Sequence, residues 1–126
     1  VPALAGLITD THLAERDRMG RLMGFLARMM EDDLVSAPLG LGVDEGTAVL
    51  VDVDGSATVV GRGKAHLLRA TVSASRCEAG EPLSIEAVEH WALGAGQTLH
   101  LPAGMGEGSP SALSVINGVL TPANPY

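Results

Sequence analysis

Only one stretch of this chain has helical periodicity. Met19, Leu22, Met23, Leu26, Met29 and Met30 recur at three- and four-residue spacing and mark one apolar face. The reading is a helix from about Ala14 to Met30, preceded by a short buried strand at residues 6–9 and a polar turn from Thr9 to Leu13. After a loop at residues 31–38, the chain reads as strands and turns. An α/β domain complete in itself shows several strand–helix units, and here there is one. The pattern therefore predicts that a preceding segment supplies the rest of a sheet.

Leu39–Val43 reads as a short buried strand ending in Asp44-Glu45-Gly46. Thr47–Val53 and Ala57–Val60 flank Asp54-Gly55-Ser56, a strong hairpin signal. Ala65–Val72 is a further strand candidate. Leu83–Leu93 and Thr98–Leu101 read as a pair broken by Gly94-Ala95-Gly96. Residues 102–126 are rich in Gly, Pro and Ser, so they read as a mostly irregular tail with one strand-like stretch at Leu113–Leu120.

Apolar residues make up 46% of the 126, which implies a globular chain, and aromatics only 2%, which implies a core of Val, Leu, Ala and Ile. The net charge is -7, and no basic patch is interleaved with aromatics, so nucleic acid is not expected as a partner. No apolar run is long enough to span a membrane. The compartment stays open between cytoplasmic and secreted, for a soluble chain. Cys77 is the single cysteine and reads as a buried, inert thiol. The chain starts at Val1, without the Ser, Thr or Cys of an N-terminal nucleophile. It reads as one that begins inside a domain.

Chemistry-bearing residues crowd two places. The first is Asp10-Thr11-His12-Leu13-Ala14-Glu15-Arg16-Asp17-Arg18-Met19-Gly20-Arg21, at a strand-to-helix junction. Open α/β sheets bind ligands beyond the carboxyl ends of their strands. A histidine can act there as a general base. Arg16, Arg18 and Arg21 can grip carboxylates with forked hydrogen bonds. Glu15 suits the first turn of the helix, where the dipole favours an acid. A solvated helix start with surface arginines is the alternative reading. The second place is Gly40-Leu41-Gly42-Val43-Asp44-Glu45-Gly46-Thr47-Ala48, where an acid at a strand end can orient a histidine. A surface turn with two solvated acids is the alternative there. His66, His90 and His100 lie in apolar patterns and read as structural. No spacing resembles a zinc site, and no metal or cofactor is expected.

Asp-x-His-Leu-x-x-Arg-x-Arg-x-Gly-Arg-Leu, followed some thirty residues later by Gly-Leu-Gly-Val-Asp-Glu-Gly-Thr-Ala, resembles the cyanophycinase family of serine peptidases. The resemblance continues through Pro82–Gly96 and covers residues 6–101. It implies an α/β fold: the C-terminal part of a class I glutamine amidotransferase-like (flavodoxin-like) domain, with one helix followed by a mainly antiparallel β region. Residues 1–101 would be the C-terminal half of a peptidase domain and residues 102–126 a tail. Carried over position by position, His12 would be the catalytic histidine and Glu45 its orienting acid, with Asp44 the second choice. Asp10, Thr11, Arg16, Arg18 and Arg21 would line the substrate pocket. The family often has Gln where Thr11 stands, and its loop corresponding to residues 31–38 is usually shorter. The family's serine sits in a Gly-x-Ser-Ala-Gly elbow upstream of the histidine, and the sequence contains no such motif. The resemblance thus implies a partner chain or preceding segment that brings the serine, with further dimerisation left open. Hydrolysis of cyanophycin, a multi-arginyl-polyaspartate, to β-aspartyl-arginine dipeptides is the activity implied. An isoaspartyl or α-aspartyl dipeptidase, and a non-catalytic β-rich binding module, are the alternatives.

Overall fold

The computed structural model describes residues 2–126; the reading placed on Val1 lies outside them. A 3-10 turn at Pro2–Leu4 leads into β1 (Leu7–Thr11), and α1 (Met19–Glu31) follows. Then come β2 (Leu39–Val43), β3 (Thr47–Val51), β4 (Ser56–Gly61), β5 (Ala65–Arg69), β6 (Ile85–Leu93), β7 (Thr98–His100), β8 (Met105–Gly106), β9 (Ser111–Ile116) and β10 (Val119–Thr121). The class is α/β with one helix, and the sheets are mostly antiparallel. One sheet has six strands in the order β1-β2-β5-β6-β9-β10, and the other has four, β3-β4-β7-β8. Among the named strands, β1 and β2 alone run parallel, with Thr11 opposite Val43. A helical crossover joins them, as parallel neighbours require.

The six-stranded sheet lies between two apolar layers. On one face, Met19, Leu22, Met23 and Leu26 of the helix meet Leu68, Ile85, Val88, Leu113 and Val115. On the other, Leu41, Leu67, Trp91 and Leu93 meet Val59 and Leu99 of the smaller sheet. Leu67 and Leu68 are both fully buried because successive side chains of a central strand enter opposite layers. Gly40 and Gly42 let the helix side approach β2. A Cβ at Gly42 would stand 2.7 Å from the Leu13 methyls, and one at Gly40 would stand 3.2 Å from Leu22.

Several expectations need correction. The helix starts at Met19 rather than Ala14. Leu13 is drawn into the core, the Ala14 N–H is taken by the Asp44 carboxylate at 3.1 Å, and Asp17 turns to a left-handed φ of 48°. These demands break the helix before it can extend backwards, so Glu15 and Arg16 sit in a loop. β6 and β7 do not pair with each other. The turn at Gly94–Gly96, with Gly96 at φ 85°, carries the chain from one sheet to the other. The strand-like stretch expected at Leu113–Leu120 is two strands rather than one: β9 places Leu113 and Val115 in the core, and Asn117-Gly118 closes a β9–β10 hairpin with both residues at positive φ. Cys77 is half-buried rather than buried, and His100 is exposed.

The helix-side face of the large sheet buries two histidines. The His66 Nδ1 lies 2.9 Å from His90 Nε2, and the rings stack at 5.2 Å. The His66 Nε2 makes no hydrogen bond and faces the Asp44 carboxylate at 3.7 Å. That neighbour favours a proton on His66 Nε2, which leaves Nδ1 to accept from His90 Nε2–H. Burial lowers both basicities, and that of His90 falls from 6.5 to about 4, with the neighbouring His66 adding to the effect. Both rings are therefore neutral at pH 7. Between pH 6.5 and about 4 the unfolded chain binds a proton that folded His90 refuses. Stability should then fall as pH drops through that window, by about 3 kcal/mol for His90 over its full span. Urea unfolding at pH 7 and pH 4.5 measures the slope, and His90→Gln should flatten it.

Candidate active site

Parallel pairing of β1 and β2 brings their carboxyl ends to one edge. His12 follows β1 directly, and Glu45 follows β2 by one residue beyond Asp44. Residues 30 or more apart in sequence thus become neighbours. The ligating atoms of His12, Glu15 and Glu45 lie within 4.8 Å of one another. No hydrogen bond joins the imidazole to either carboxylate. The Glu45 N–H does donate to Glu15 Oε1 at 2.6 Å, which ties the two turns together.

The loop bearing His12 is held from several sides. His12 itself adopts a left-handed φ of 51°. Its carbonyl accepts from the Arg16 N–H at 3.0 Å, the Leu13 N–H donates to the Val43 carbonyl at 3.2 Å, and the Arg18 N–H donates to the Leu13 carbonyl at 2.8 Å. Asp44 carries the acid that fastens this loop. Its carboxylate accepts from the Ala14 N–H and from the Lys64 N–H, each at 3.1 Å. Asp44 is buried while Glu45 is exposed, so the two acids of the pair divide into an anchor and a free group. A far part of the chain completes the hold. The Tyr126 hydroxyl accepts from the Met19 N–H at 2.9 Å, capping a helix that Arg18 leaves without a side-chain cap, and donates to Asp17 Oδ1 at 2.8 Å.

Asp10 lies beneath this surface with 4% of its side chain exposed. It accepts two hydrogen bonds from Arg21, at 2.8 and 2.6 Å, and Arg18 stands 3.7 Å away. The forked bond to Arg21 holds the Asp10 carboxyl below its ordinary range despite burial. Arg18 also donates to the Thr11 carbonyl at 2.8 Å. Asp10 therefore braces two arginines, and Thr11 is exposed above them. Arg16 is exposed and makes no salt bridge among the described residues. The cleft of about 390 Å³ lined by His90, Trp91, Ser111 and Tyr126 does not include His12 or Glu45.

Glu15 is the residue that sequence reasoning assigned to the helix dipole and the structure assigns to this cluster. Its three-residue separation from His12 was legible; its approach to Glu45 depends on the strand pairing.

No family model matches the chain. Over 99 residues it is 31% identical to the cyanophycinase of Trichormus variabilis and, equally, to that of Nostoc sp.. The match covers 75% of this chain. The chain is a distant relative of the cyanophycinases. It spans about a third of their length, 31% in each case. The cyanophycinase-like region includes a chemically dense corner at the ends of β1 and β2, and no helix among the described residues is long and apolar enough to cross a membrane.

Proposed function

We propose that this chain provides the histidine-bearing half of a serine-type peptidase that cleaves cyanophycin to β-aspartyl-arginine dipeptides. The nucleophilic serine comes from a Gly-x-Ser-Ala-Gly elbow on a preceding segment or partner chain. The observation that carries this reading is the convergence of His12 and Glu45 beyond the one parallel strand pair. Such strand ends are where open α/β sheets place their sites. The kinship with cyanophycinases supplies the substrate class.

In this reading the serine hydroxyl attacks the scissile carbonyl and His12 accepts its proton. His12 then returns the proton to the leaving amine, and water resolves the acyl-enzyme by the same route. Glu45 turns towards the imidazole, fixes its tautomer and stabilises the cation that forms. Arg16, without a salt bridge among the described residues, and Arg18, braced by Asp10, meet the free carboxylates of the substrate. Asp10 and Arg21 serve as a brace beneath that surface. The outer edge of β1 has no partner strand among the described residues. A further parallel strand added there extends the sheet in the manner of a class I glutamine amidotransferase-like domain and walls the open side of the site.

The test is incubation of the full-length protein with insoluble cyanophycin, with products identified by mass spectrometry. Release of β-aspartyl-arginine is the expected result. Cleavage of isoaspartyl or α-aspartyl dipeptides in its place would keep the chemistry and change the substrate. Inactivity on all of these substrates would reject the peptidase.

A further inference from the structure

The same corner has a donor set that the peptidase chemistry does not use up. His12 offers one imidazole nitrogen, and Glu15 and Glu45 offer one carboxylate oxygen each, all within 4.8 Å of one another. Two carboxylates held this close repel each other. Neither has a salt-bridge partner among the described residues to offset that repulsion. The Glu45 N–H occupies one oxygen of Glu15 and leaves the other available. One nitrogen and two oxygens make a three-ligand set of the kind zinc takes, and the exposure of both glutamates leaves a fourth position to solvent. An imidazole ligand favours a zinc-like ion over calcium or magnesium, which take oxygen. In a tetrahedral sphere with bonds of about 2.0–2.2 Å, neighbouring ligand atoms stand about 3.4 Å apart. Both glutamates are exposed, so their side chains can close that gap by rotation while the backbone stays fixed.

We propose that His12, Glu15 and Glu45 form a binding site for a zinc-like divalent ion, and that occupancy of this site switches the hydrolase off. Binding takes up the imidazole lone pair that would accept the serine proton. It also draws Glu45 away from its orienting position. The inhibitory half rests on the peptidase reading above; the binding half does not. Glu15 is then the residue that makes the difference between a histidine–acid pair and a metal site.

Zinc titration into the metal-free full-length protein, followed by calorimetry, tests the site directly. One equivalent should bind, Glu15→Gln should weaken it by at least about 10-fold, and His12→Asn should abolish it. Absence of one-to-one binding, or affinity unchanged in both variants, would overturn the site. Dipeptide release should fall in proportion to zinc occupancy, return with chelator, and resist zinc in Glu15→Gln. A zinc-loaded protein hydrolysing at full rate would overturn the regulation. Stoichiometric binding in a protein that hydrolyses no substrate would leave the metal site standing and remove the peptidase reading.

Discussion

Replacing His12 with asparagine should lower hydrolysis by about four to six orders of magnitude while leaving the fold in place. The size of the loss follows from the role proposed for His12. Without a base, the serine stays protonated at neutral pH, and the leaving amine has no proton donor. Asparagine is the informative replacement because His12 sits at φ 51°, a conformation that Asn tolerates better than most residues. The loop contacts run through backbone groups and through Leu13, so they survive the exchange. Rates on cyanophycin, together with an unchanged urea midpoint, check both halves. Full activity in the variant would remove His12 from the mechanism, and an unfolded variant would make its role structural.

Leu13→Ala should act next door by a different route. Leu13 is fully buried and rests on the space that Gly42 leaves open. Truncation removes its contacts and leaves a cavity that the helix and β2 cannot close without moving. The expected cost is about 3 kcal/mol, within the range of about 2–5 for buried leucines. The urea midpoint should drop with little change in slope. Activity should fall even where the variant is fully folded, because the residue next to His12 no longer holds its depth. Hydrolysis that tracks the folded fraction alone would mean that backbone hydrogen bonds suffice to place the histidine.

The helix face from Met19 to Leu26, the β2 boundaries and the Asp54-Gly55 hairpin were legible because each rests on local pattern. The nearness of His12 and Glu45 was anticipated from family resemblance and not from local pattern. What local pattern could not supply was competition from distant partners. The first turn of the expected helix was lost to Asp44, thirty residues away, and to the pull of Leu13 into the core. Glu15 changed neighbours for the same reason. The switch of β7 into the second sheet turned on one glycine turn between strands that read alike. The tail is a different case. Asn117-Gly118 between Leu113 and Leu120 is a hairpin signal as strong as Asp54-Gly55, but its Gly- and Pro-rich setting outweighed it.

The reach of Tyr126 has a consequence for how the protein matures. Its hydroxyl bonds Asp17 across 109 positions of sequence. During synthesis, the His12 loop leaves the ribosome long before the tyrosine that clasps it. A nascent chain can therefore form the β1–α1–β2 unit and still lack a fixed histidine until the final residues described here arrive. The turn that leads from His12 into the helix thus gains its clasp only once residue 126 has been made, and a translation product truncated before Tyr126 should carry the site residues without that clasp.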